Sequence, residues 1–174
     1  MTRPRVIAAA VALAAACGDG GRGKPSDDAR AAAPPPIQPA ARATTDAKGC
    51  VHDGRWRPCA LVDRLEKAGL VVKAQPDTVR YEFLAVPGLR YTVGRGEVQA
   101  FFYDDTTRLA RDVAALDTVR VTPTGTFRHW DVHPTFVRAG NLVVILLTLS
   151  ETLMERVQFA VQAGAPQPEP PAVP

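Results

Sequence analysis

Asn141-Leu142-Val143-Val144-Ile145-Leu146-Leu147-Thr148-Leu149-Ser150 is the stretch that decides the fold. From Leu142 to Leu147 the run is apolar without interruption and is centred on β-branched residues. Such a run has no polar side to offer water, so it reads as a strand covered on both faces at the centre of a sheet. Just upstream, Ala139-Gly140-Asn141 closes a hairpin with a strand at 135–137. Just downstream, Ser150 is an N-cap for a helix whose Leu153, Met154, Val157, Ala160 and Val161 form one stripe.

The pattern continues toward the N-terminus. Val79, Tyr81, Phe83 and Ala85 alternate with Arg80 and Glu82, the signature of a half-buried strand. Pro87-Gly88 fits a turn, and Leu89, Tyr91 and Val93 resume the alternation. Gly94-Arg95-Gly96 reverses the chain into a strand over 98–103. Asp104 and Asp105 are caps for a helix carrying Leu109, Val113 and Leu116 on one side. A first helix is expected over 59–68, with Pro58 in its opening turn and Gly69 ending it. These readings predict an α+β fold: a small antiparallel sheet with helices packed on one face, in the order α-β-β-β-α-β-β-α.

The N-terminal segment gives an address. Arg3 and Arg5 precede an apolar run from Val6 to Ala16, and Cys17 follows. That run is far shorter than the ~20 residues a spanning helix needs, so 1–16 reads as a signal peptide and Cys17 as a lipidation site. An ordinary secretory signal cut after Ala14-Ala15-Ala16 is the alternative, because Ala14 stands where lipoprotein signals favour leucine. The expectation is a bacterial cell-envelope protein, lipid-anchored on the extracytoplasmic side, with the membrane as its first partner. Residues 17–49 carry Gly18-Asp19-Gly20-Gly21 and Ala33-Pro34-Pro35-Pro36 and too little apolar surface to fold, so they read as a disordered tether. A flexible chain of that length spans ~30 Å. The folded domain is then 50–163, and 164–174 is a proline-rich disordered tail.

Composition excludes some classes. The formal net charge is +3, and basic and acidic residues are interspersed across 50–163, without the basic stripe that nucleic acid requires. In an oxidising compartment Cys50 and Cys59 are expected to form a disulfide. A metal reading with His52 between them lacks a second close ligand pair. Ser26 falls in the tether and Ser150 at a helix cap, so no nucleophilic serine is placed. Gly94-x-Gly96 is followed by a strand rather than the helix a phosphate loop needs.

Two clusters remain as candidate sites. His129, Asp131 and His133 would share one side of an extended segment and could ligate zinc, which is the alternative functional reading: a small metal-binding protein or metal-dependent enzyme. Phe101, Tyr103, Trp130 and Phe136 would compose an uncovered aromatic patch if one sheet face is left bare, marking a partner surface. The primary expectation is a non-enzymatic interaction domain for an envelope protein partner, with no cofactor.

From about residue 60 to 161 the chain resembles a widespread group of uncharacterised bacterial lipoproteins. The resemblance rests on Leu65-x-x-x-Gly69, on Tyr91-Thr92-Val93-Gly94-Arg95-Gly96-Glu97-Val98-Gln99-Ala100-Phe101, on Trp130 ahead of His133-Pro134-Thr135-Phe136, and on Asn141-Leu142-Val143-Val144-Ile145. It implies a short α+β domain behind a lipobox and no activity. The relatives' histidine follows the proline, whereas His133 precedes Pro134, and Ser150-Glu151 replaces a glycine-aspartate turn. The resemblance therefore assigns no role to His133.

Overall fold

The computed structural model describes residues 43–46 and 48–168. The signal segment, Cys17, most of the tether and the end of the tail lie outside the described residues. Along the chain run β1 (Thr44–Thr45), β2 (Val51–His52), α1 (Pro58–Lys67), β3 (Val72–Val79), β4 (Gly88–Val93), β5 (Gly96–Phe102), α2 (Thr106–Ala114), β6 (Leu116–Asp117), β7 (Thr122–Pro123), β8 (Pro134–Ala139), β9 (Leu142–Leu147) and α3 (Glu151–Gln162). The fold is α+β, and the three helices and five main-sheet strands follow the order that the hydrophobic patterning predicts, with the two-residue strands β1, β2, β6 and β7 in addition. The main sheet is antiparallel, with strand order β3-β4-β5-β9-β8.

Strand β9 pairs with β5 on one side and β8 on the other, and Leu142 through Leu146 are fully buried. Both flanking hairpins are two-residue loops opening on a glycine of positive φ, Gly94 at 56° and Gly140 at 55°. Glycine at the first loop position suits the primed turns whose twist matches the strands. Asp105 and Ser150 cap α2 and α3, accepting from Thr107 N and Leu153 N.

Two layers cover the sheet. On the first face, Leu61 and Leu65 of α1 and Leu153, Val157 and Val161 of α3 pack on Tyr91, Val93, Val98, Val144 and Leu146. On the second face, Phe101, Val143 and Ile145 are covered by Leu109 of α2, by Leu116 of β6 and by irregular chain contributing Tyr81, Leu84 and Val121. Thus α1 and α3 share a face, whereas α2 takes the other. The two-sided apolar character of β9 demands this, since a bare second face would leave Val143 and Ile145 in water.

One strand differs from its expected place. The alternation at 79–85 belongs to a loop, and β3 ends at Val79. Pro76 lies inside β3, which is tolerated because β3 is an edge strand whose register shifts between Ala74 and Thr78. The chain after Val79 folds over the second face, where Tyr81 and Leu84 are buried. The Asp112 carboxylate holds this loop, accepting from Ala85 N at 2.7 Å and from the Tyr103 hydroxyl at 2.7 Å.

Contacts are also made by described residues on either side of 50–163. Thr44–Thr45 pairs with Val51–His52, and the intervening turn is closed by Asp46 Oδ1 accepting from Cys50 N. Ala165 is buried in the first core, and Gly54 N donates to Pro166 O at 3.2 Å. Residues 44–46, 48–49 and 164–168 thus contact the folded body, through small residues and backbone amides whose contacts hydrophobicity does not register. The Cys50–Cys59 disulfide is present, with Cα atoms 5.8 Å apart, and ties β2 to the first turn of α1.

Candidate functional site

The second face carries the candidate site. After β7 the chain runs irregularly to β8, and Phe127-Arg128-His129-Trp130 lies along it. Together with Arg120 and His133 these residues line an open cleft of about 350 Å³. The floor behind its lining residue Trp130 is aromatic. Tyr81 and Trp130 meet edge to face with ring centroids 5.6 Å apart, and Phe83 stacks on the other side of Tyr81 at 5.0 Å. The Arg128 guanidinium lies 4.7 Å from the Tyr81 centroid and 4.9 Å from that of Trp130.

The rings are fixed from behind. Trp130 Nε1 donates to Arg120 O at 3.1 Å, and the Tyr81 hydroxyl donates to Gln99 Oε1 at 2.7 Å. Gln99 in turn donates to Glu97, which takes both Arg90 Nε and Arg90 Nη2. The polar chain thus runs from the cleft floor across β5 to β4. Burial raises the Tyr81 hydroxyl pKa against the lowering effect of its hydrogen bond, so it stays a neutral donor. Arg90 holds the Glu97 carboxyl below its usual range.

A strained residue shapes the rim. Val121 has φ of 51°, in the left-handed region where a β-branched side chain is rare. This conformation buries Val121 completely in the second core. It also lets its neighbours Arg120 and Thr122 line the cleft. Strain of this kind costs roughly 1–3 kcal/mol and persists only where surrounding packing enforces it.

The residues anticipated from sequence fall differently. Phe101 and Tyr103 are buried, at 0% and 1% exposure, so they form core and not a partner surface. The helices do not share one face, and α2 and the loops cover what was expected to be bare. Trp130 and Phe136 are partly buried at the margin of that core. Trp130 reaches the cleft, and beside it Phe127, 85% exposed, supplies the uncovered aromatic surface. His129 Nε2 lies 3.8 Å from Asp131 Oδ1, with side chains 83% and 102% exposed. His133 does not complete a three-ligand cluster with them, because the segment bends at 131–132 and alternate residues no longer share a side.

Among the described residues, a three-donor cluster forms at Asp46, Cys50 and His52, where the Cys50 sulfur is already committed to the disulfide. Arg128, Phe127 and Tyr81 escape the sequence reading. The signal available for Phe127 and Arg128 was the uninterrupted run of basic and aromatic side chains after the Gly125 turn, and Tyr81 had none beyond its strand-like alternation.

Comparison with known proteins adds nothing to this geometry: no family model, curated protein or solved structure matches the chain.

Proposed function

We propose that the chain is a bacterial envelope lipoprotein, acylated at Cys17, whose folded domain is a non-enzymatic binding module. Its binding surface is the cleft between Phe127, Arg128 and Trp130. The export reading is supported by Arg3, Arg5, the apolar run to Ala16 and Cys17. Among the described residues no helix is long and apolar enough to cross a membrane, so the N-terminal segment is the means of attachment this reading uses.

The observation that carries the binding reading is the pairing of an 85%-exposed Phe127 with a guanidinium that has no hydrogen-bond or ion-pair partner among the described residues. Exposed aromatic and arginine side chains on a fixed floor are what interface anchors consist of. The cleft lining contains no carboxylate, cysteine or lysine. Binding is accordingly the chemistry its residue types suit best.

Two measurements test the proposal. Mass spectrometry of native protein should find diacylglycerol on an N-terminal Cys17, and an intact leader would overturn the anchoring. A photoreactive residue at position 127, expressed in the native envelope, should crosslink to one discrete species. The same residue at Glu155, exposed on α3, should not. Equal labelling from both positions, or none from either, would remove the cleft as the binding surface.

A further inference from the structure

We propose that the cleft is an oxyanion site. It takes a carboxylate or phosphate monoester group carried on a flat apolar body, with Arg128 as the receiving residue. This rests on the cleft being the binding surface and adds the chemistry of what it binds.

Arginine recognises carboxylate and phosphate through a planar fork of N–H donors, and it does so best when that fork is held in place beforehand. Here the guanidinium is seated against two rings, each anchored by its own hydrogen bond, Tyr81 to Gln99 and Trp130 to the Arg120 carbonyl. The guanidinium carbon lies over both rings, and Arg128 with its N–H donors is exposed to solvent. Among the described residues none of those donors meets a protein acceptor, although carboxylates are plentiful elsewhere on the surface.

A second charge stands by. Arg120 is engaged by Asp117 only through Nε, at 3.8 Å, and its terminal nitrogens have no protein partner among the described residues. His129 and His133 also line the cleft. Two carboxylates stand outside the lining, Asp117 at 3.8 Å from Arg120 and the fully exposed Asp131 at 3.8 Å from His129. Neither engages Arg128, so an anion entering the cleft meets that guanidinium without a carboxylate paired to it. Phe127 and Trp130 provide flat apolar surface beside those donors. A volume of about 350 Å³ admits one ring with its charged group and little more.

The test uses the purified mature protein with phenyl phosphate, benzoate, inorganic phosphate and the neutral benzyl alcohol as probes. The readout is the two tryptophan indole N–H resonances. Trp56 is buried at 2% exposure and serves as the internal reference. The expected result is saturable movement of the Trp130 signal by phenyl phosphate or benzoate with Trp56 unmoved. Inorganic phosphate should bind about tenfold more weakly, for want of apolar contact. R128Q should weaken aryl-anion binding about tenfold or more, as loss of a charge-assisted hydrogen bond does. R128K should recover little, since an ammonium lacks the fork and the stacking surface. R138Q, on exposed β8 outside the cleft, should change nothing.

Tighter binding of phenyl phosphate assigns a phosphate ester, and tighter binding of benzoate a carboxylate. Either outcome supports the site. If benzyl alcohol moves Trp130 as strongly as the anions, or if R128Q binds them unchanged, the anion chemistry is overturned while the cleft remains a binding surface. If no probe moves Trp130 at about 10 mM, an affinity weaker than any useful contact, the cleft reading falls with it.

Discussion

The two faces of the sheet are built in opposite ways. The first is covered by α1 and α3, whose apolar stripes lie on alternate residues of β4, β5 and β9. The second has one short helix and is otherwise closed by loops held with polar contacts: Asp112 to Tyr103 and Ala85, Tyr81 to Gln99, Trp130 to the Arg120 carbonyl. The exposed aromatic Phe127, the unpartnered arginine and the left-handed valine all sit on the second side. Regular elements give one face stability through area alone. Loops pinned by hydrogen bonds give the other a surface that side chains can leave, which is where binding sites are usually found.

The largest effect should come from breaking the first face. Leu61 is fully buried in α1, and Leu61→Ala should cost about 3 kcal/mol through lost transfer energy and a cavity. Urea denaturation should show one cooperative transition moved to lower midpoint, with Trp130 and Trp56 reporting together. Should Trp130 report a separate transition, the faces would unfold independently and the sheet would not couple them. Next in size is the disulfide, also on the first side. The double variant Cys50→Ser/Cys59→Ser should lose about 2–3 kcal/mol by freeing a short loop in the unfolded chain. Binding at the cleft should be unaltered, because β2 and the first turn of α1 lie in the other core.

A third substitution acts on the second face. Asp112→Ala removes the acceptor shared by the Tyr103 hydroxyl and Ala85 N, both within 2.7 Å. The buried hydroxyl is left without a partner, which costs about 2 kcal/mol. Hydrogen exchange should quicken in 80–87 well before the amides of β9 are affected. Uniform quickening would mean that the loop is part of the global unit and not a local one.

The contrast between faces also explains what could be read in advance. Continuous apolar β9, the Gly94 and Gly140 turns, the caps at Asp105 and Ser150 and the disulfide are local signals. A strand with no polar side, a glycine opening a two-residue loop and a capping side chain each carry their reason within a few residues. The second face does not. Tyr81 and Phe83 alternate like a strand, yet they stack on one another and Tyr81 meets Trp130 and Arg128, nearly fifty residues on. Phe101 and Tyr103 would reach the surface only if helices were the sole cover of the sheet, and periodicity does not say which loops close over it. The anchors that let a loop act as cover, such as Asp112, look like ordinary surface residues in sequence. Periodicity measures regular burial, and the cleft is made of irregular burial.

The smallest effect is electrostatic and again separates the faces. Glu97 and its neighbours Gln99 and Phe101 point to the second face, while Val98 and Ala100 point to the first. Arg90 holds the Glu97 carboxyl below 4.5, chiefly by direct hydrogen bonding, with help from Gln99 and against partial burial. A carboxyl whose folded pKa is depressed contributes stability that is complete above its unfolded value. That stability is lost as pH falls through the folded value. Going from pH 7 to below 4.5, the domain should therefore lose up to about 1 kcal/mol from this pair, the scale of a well-formed, partly exposed ion pair. The half-buried Asp46 and Asp53 and the exposed Asp105 carboxyls are lowered in the same direction by local donors, so the whole domain weakens together in acid. Glu97→Gln isolates the second-face share: it should lower stability at pH 7 and flatten the slope below 4.5. Because Glu97 accepts from Gln99, which accepts from Tyr81, the substitution should also shift the Trp130 resonance at neutral pH. Trp130 unchanged in Glu97→Gln would show that the polar chain stops at Gln99 and that the cleft floor stands on ring packing alone.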